Sequence, residues 1–204
     1  MHSISTFLFR VLYLNDNALR SNSFPRSFIE LRHLSVLWIQ NNRLKSVPNE
    51  IGELVSLQHL NAGHNQIKTI THRLFSLPKL KSLWLNNNDI SCIPQQIGNL
   101  LCIETLDLQH NCLKQLPSCL ETMPRLKVLK LDGNRLSNRQ MFKFEKIGGN
   151  GNGGLSVTAE SLQKRASPQM TANCIFSDKG KLEMAETITR KFEKVDFSYG
   201  WCPD

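Results

Sequence analysis

Apolar residues fall at Leu34, Leu37, Ile39 and Leu44 around Asn42, and the same arrangement returns at Leu80, Leu83, Leu85 and Ile90 around Asn88. The frame L-x-x-L-x-L-x-x-N-x-L occurs six times, beginning near Phe9, Leu34, Leu57, Leu80, Ile103 and Leu126. Its asparagine stands at Asn17, Asn42, Asn65, Asn88, Asn111 and Asn134, the last five separated by 23 residues each. A fixed period of this length predicts stacked units, because one such unit cannot close a core and must bury its apolar residues against its neighbours. The L-x-L segment predicts a short strand with leucines inward and the intervening residue on the other face. The asparagine is expected to turn the chain, its carboxamide bonding main-chain groups that parallel stacking leaves unpaired.

This frame is that of the leucine-rich repeat, and the resemblance covers about two thirds of the chain. It implies an α/β solenoid of about six repeats, with a curved parallel sheet on the concave face and short helices or 3-10 turns and loops on the convex face. A second signal lies in the outer half of the unit, in Val47-Pro48-Asn49-Glu50-Ile51-Gly52 and Ile93-Pro94-Gln95-Gln96-Ile97-Gly98, with a degenerate copy at Leu116-Pro117. This form resembles the intracellular, Ras-associated group of leucine-rich-repeat proteins typified by the Ras suppressor protein and Scribble. The resemblance implies a scaffold in signalling or adhesion, with protein partners among small GTPase-pathway or adhesion components. The longer first copy, 25 residues from Asn17 to Asn42, resembles a two-residue expansion in the same group.

With the frame in register, the residues between the strand leucines form one concave column: Tyr13, Trp38, Asn61, Trp84, Asp107 and Lys130. Period two places His59 in a flanking column on one side, and Asn86, Gln109 and Asp132 in a column on the other. These ten residues are the candidate partner-binding strip, aromatic and apolar in its first half, polar and charged in its second. Tyr and Trp are frequent anchors of protein interfaces, so solvent-facing rings at Tyr13, Trp38 and Trp84 are expected to carry binding. The competing reading is that the rings pack flat on neighbouring strands and stiffen the sheet.

Catalysis is not expected, for there is no G-x-x-x-x-G-K-[ST] loop, no G-x-S-x-G and no H-E-x-x-H. His59, His64 and His110 fall with Asp107 on or beside the concave face, but His64 and His110 are two strands apart, about 10 Å, too far for a compact metal shell. No metal and no cofactor are expected. Residues 1–136 hold 15 Lys and Arg against 9 Asp and Glu, so the repeats carry most of the net +8. The cations are scattered, and no run of like charge exceeds Lys164-Arg165, so neither nucleic acid nor an electrostatic membrane tether is predicted. No stretch approaches a membrane span, and membrane insertion is not expected. Cys92, Cys102, Cys112, Cys119, Cys174 and Cys202 form no C-x-x-C pair, and Arg10 interrupts the apolar start of the chain, so a cytoplasmic location is expected.

Repeat three departs from the frame, with Ala62 in a leucine slot and Thr71-His72-Arg73-Leu74-Phe75 where P-x-x-I-G should stand. Leu74 and Phe75 are expected to fill the space, and the sequence leaves open whether the result is a local change in curvature or a Gly63 that lets a ligand approach the backbone. Terminal repeats need caps. Phe7, Leu8 and Phe9 would leave an edge open to pairing, as in a shortened form of a longer array, and Met141, Phe142, Phe144 and Ile147 are expected to cover the last repeat. The boundaries read 1–147 for the solenoid and its cap, 148–154 for a Gly/Asn-rich linker, and 155–204 for a polar, partly disordered tail with a helix over 181–195. Lys194, Val195 and Phe197 resemble the short motif that docks to protein phosphatase 1, so a phosphatase-regulating tail is the second functional class and an extracellular receptor fragment the third.

Overall fold

In a computed structural model of the protein, residues 9–137 and the strand at 171–173 are described. Six strands of three residues each, β1 (Val11–Tyr13), β2 (Val36–Trp38), β3 (His59–Asn61), β4 (Ser82–Trp84), β5 (Thr105–Asp107) and β6 (Val128–Lys130), pair in parallel in chain order. Register is constant: Leu12, Leu37, Leu60, Leu83, Leu106 and Leu129 stand opposite one another across the sheet. All six are buried, and those of the four interior strands are wholly so.

Behind the sheet, 3-10 turns at Arg26–Glu30, Asn49–Glu53, His72–Ser76, Gln95–Asn99 and Ser118–Thr122 pack one on the next. Four follow a proline, whose fixed φ sets the turn and whose missing N–H needs no partner. The Pro48 carbonyl accepts the Ile51 N–H at 3.2 Å, and Pro94 the Ile97 N–H at 3.1 Å, which rolls each isoleucine into the core. The following glycine reflects close stacking: a Cβ on Gly52 would lie 2.7 Å from the Arg73 carbonyl oxygen. Repeat three forms the same turn without the proline, with Thr71 accepting the Leu74 N–H at 3.1 Å. Leu74, Phe75 and Ala62 all lie in the main core, and β3 keeps register with both neighbours.

The asparagines connect repeat to repeat. Asn88 Nδ2 donates to the Ala62 carbonyl at 3.0 Å, and its Oδ1 accepts the Ile67 N–H at 2.9 Å, both in the preceding repeat. Asn65, Asn111 and Asn134 make the same pair of bonds. Asn42 makes them too, to Leu14 and Leu19. The expansion in the first copy is taken up by an extra 3-10 turn, Ser21–Ser23, where Ser21 Oγ donates to the Ser46 carbonyl at 2.9 Å and accepts the Lys45 and Ser46 N–H groups.

Just before each asparagine the chain enters the left-handed region, at Asp16, Asn41, His64, Asn87 and His110 with φ between 51° and 57°, and at Gly133. Asp, Asn and His tolerate that conformation better than other side-chain-bearing residues. Within this row Asn41 Nδ2 donates to Asp16 Oδ1 at 2.7 Å, and Asn87 Nδ2 meets His64 Nε2 at 3.3 Å.

In the segment read as polar tail, Thr171–Asn173 forms a seventh strand, β7, parallel to β1 at the edge expected to stand open. An edge strand presents unpaired N–H and C=O groups that such a segment satisfies. The expected cap at 141–147, the linker, the helix over 181–195 and the motif Lys194, Val195 and Phe197 lie outside the described residues.

Candidate functional site

Constant register brings Tyr13, Trp38, Asn61, Trp84, Asp107 and Lys130 into one row across the sheet, each paired directly with the next. Val36, His59, Ser82 and Thr105 form the adjoining row. The expectation of solvent-facing rings needs correction, since Trp38 and Trp84 are each only 5% exposed. An indole is wider than the roughly 4.8 Å between strands, so in a parallel stack it lies over its neighbours and closes the row laterally. Tyr13 packs on Trp38 with ring centroids 4.7 Å apart, and His59 stacks on Trp84 at 6.3 Å. Val11, Tyr13 and Trp38, flanked by Val36, form a second apolar cluster on this face, separate from the main core.

Further along, Asp107 is buried and holds Lys130 at 3.4 Å. Its Oδ1 also accepts the Gln109 N–H at 3.1 Å, as Asn61 Oδ1 accepts the Gly63 N–H at 3.1 Å. Both side chains therefore close the backbone after their strand, a structural task beside any role in binding. Gln109 Nε2 donates to Asp132 Oδ2 at 2.8 Å. Asn86 crosses Gly63, where its Oδ1 would sit 2.7 Å from an added Cβ, so the backbone opening expected at Gly63 is filled by this carboxamide.

Among the described residues, three buried polar atoms in this region have no hydrogen-bond partner: Trp38 Nε1, Gln40 Oε1 and His59 Nδ1. Buried polar groups are otherwise almost always satisfied, and leaving one bare costs about 1–3 kcal/mol. All three belong to β2, β3 or the residues just beyond, around the aromatic cluster. Gln40 lies outside the ten candidates, although it stands in the column of Asn86, Gln109 and Asp132; its unmet oxygen shows only once its neighbours are placed.

Burial lowers the His59 pKa below its ordinary 6.5, helped by the Lys81 cation and opposed by Glu104. A group whose folded pKa is depressed takes up protons more readily when unfolded, so stability is retained above the ordinary value and lost as pH falls below it. Urea midpoints measured from about pH 8 to about pH 5 are expected to fall less steeply for His59→Gln than for the wild type; equal slopes would show that this imidazole does not contribute. Burial also raises the Tyr13 pKa.

Two profiles match the chain: one described as "Leucine rich repeat" over residues 9–67 and 78–136, and one as "Leucine Rich repeats (2 copies)" over 55–97. No curated protein matches it. Among solved structures it is similar to an internalin (inlF) from Listeria monocytogenes, at 24% identity and a TM-score of 0.60, covering 70% of this chain and 39% of that one. It is also similar to the ectodomain of the plant membrane receptor kinase GASSHO1/SCHENGEN3 from Arabidopsis thaliana in complex with CASPARIAN STRIP INTEGRITY FACTOR 2, at 27% identity and a TM-score of 0.53, covering 62% of this chain and 17% of that one. The PEPR1-AtPEP1 structure matches at 32% identity and a TM-score of 0.54, covering 62% of this chain and 18% of that one. The chain thus spans well under half the length of each.

Proposed function

Because the chain belongs to the leucine-rich-repeat family, we propose that it is a non-enzymatic interaction module that binds a protein partner on its concave strip, as a scaffold in intracellular signalling. The observation that carries this reading is the trio of unpaired polar atoms at Trp38, Gln40 and His59 beside a preformed aromatic cluster. Trp38 Nε1 and Gln40 Oε1 are an unmet donor and acceptor that a shift of the covering side chains would offer to a partner beside rings already held in place. The plant receptor-kinase ectodomain, solved in complex with CASPARIAN STRIP INTEGRITY FACTOR 2, supports a partner-binding role for repeats of this kind. The intracellular part of the proposal is supported by the L-P-x-x-I-G resemblance and by four unbonded cysteines among the described residues.

The test is a lysate pull-down comparing wild type with Trp38→Ala/Trp84→Ala, with circular dichroism confirming that both are folded. The double variant is expected to lose its specific partner by more than roughly tenfold. An unchanged partner list with the fold intact rejects the concave strip as the site. The receptor-like neighbour favours a second reading, a fragment of an extracellular receptor; secretion of the chain with paired cysteines would establish it over the intracellular one.

A further inference from the structure

The turns that lead into the strands carry a row of apolar tips. Val55, Pro78, Leu101 and Pro124 occupy the same position in four successive repeats, and all four are exposed. Val55 is 51% and Leu101 63% exposed, the highest values for large hydrophobic side chains among the described residues. Strands in constant register repeat this position at every step, so the four tips span about 14 Å at roughly 4.8 Å per repeat.

Cations flank it. Arg32 holds the equivalent position one repeat earlier, Lys79 and Arg125 follow the two prolines directly, and Lys81 lies on the same approach to the strand; all are exposed. The carboxylates nearby are largely engaged: Glu104 by Lys127 at 2.8 Å and Glu53 by Arg73 at 3.2 Å. Glu30 and Glu121 sit farther back, on the 3-10 turns that precede the row. The edge is therefore apolar at its tips and basic along its flank, a combination invisible to a search for charge runs because its members are 23 residues apart in the chain.

We propose that this edge is a membrane-contact surface that rests on an anionic lipid bilayer, the apolar tips entering the headgroup region while Arg32, Lys79, Lys81 and Arg125 face lipid phosphates and carboxylates. Charge complementarity identifies the occupant, and the exposed tips offer a bilayer surface apolar atoms along the same edge as the cations. Cations near an anionic leaflet each add to the attraction, and shallow apolar insertion adds the rest. The proposal is independent of the concave strip and leaves that face free.

The full chain is tested by co-sedimentation with vesicles of phosphatidylcholine alone and of phosphatidylcholine with phosphatidylserine. Partitioning is expected only to the anionic vesicles, and to weaken as salt screens the charges. Lys79→Glu/Arg125→Glu and, separately, Leu101→Asp are each expected to reduce it by roughly tenfold or more, with circular dichroism unchanged, whereas Trp38→Ala/Trp84→Ala leaves it intact. Failure to partition, partitioning that ignores these substitutions, or capture of an acidic protein by the row without lipid binding would each overturn the proposal.

Discussion

Asn88→Ala is expected to lower the unfolding free energy by about 1–3 kcal/mol. Its Oδ1 is the acceptor for the buried Ile67 N–H, and its Nδ2 donates to the carbonyls of Ala62, Leu85 and Asn86. Leu85 keeps a second donor in Asn111 Nδ2 and Ala62 keeps one in Asn65 Nδ2, but no other side chain accepts the Ile67 N–H. A buried group left bare costs roughly 1–3 kcal/mol, and the Ile67 N–H sets the expected loss. Urea denaturation measures it, with Asn88→Asp as a companion that keeps the acceptor and removes the donor. A loss below about 1 kcal/mol for the alanine variant would mean that relaxation or water satisfies the turn as well as the carboxamide does.

Phe75→Ala is expected to cost about 3–5 kcal/mol, the range for emptying a well-packed aromatic site. Phe75 is the bulkiest of the fully buried side chains and stands in the only repeat whose strand carries an alanine in its leucine slot. If the phenyl ring occupies volume that Leu85 and Leu108 fill in their own repeats, Ala62→Leu should recover part of the loss in the Phe75→Ala background while destabilising the wild type by overpacking. Strict additivity of the two substitutions in a double-mutant cycle would show that the ring and Ala62 do not share a space.

The fold was largely legible because its determinants are periodic. Leucine spacing gave the inward column, the asparagines gave the turns, and the register of six strands follows from both. The row of left-handed residues is also written in the chain, as Asp, Asn, His or Gly before each asparagine, though its meaning emerges only with the backbone angles. Repeat three illustrates the limit in one direction: its sequence breaks the P-x-x-I-G form, yet the 3-10 turn persists because Thr71 supplies the same carbonyl and neighbouring turns hold the stack. The concave strip illustrates it in the other. Sequence placed its residues in the right row but could not give their burial, which depends on how indoles spread over adjacent strands. It also could not distinguish Asp107 as a strand-closing acceptor from Asp107 as a binding residue, since both uses need the same carboxylate. Unmet hydrogen bonds at Trp38, Gln40 and His59, and the exposed row at Val55 and Leu101, belong to spatial neighbourhoods that a linear reading does not contain.

Each asparagine from Asn42 to Asn134 reaches one unit back and no farther among the described residues, so these links do not depend on how many units the array holds. Removing or copying an interior stretch of 23 residues would rejoin like surfaces and leave the chemistry of every remaining link as it was. Such a chain is suited to change its span by tandem duplication, acquiring reach for new partners in whole steps. A gain or loss of a few residues is absorbed only where a side chain such as Ser21 can take over the bonds of the turn.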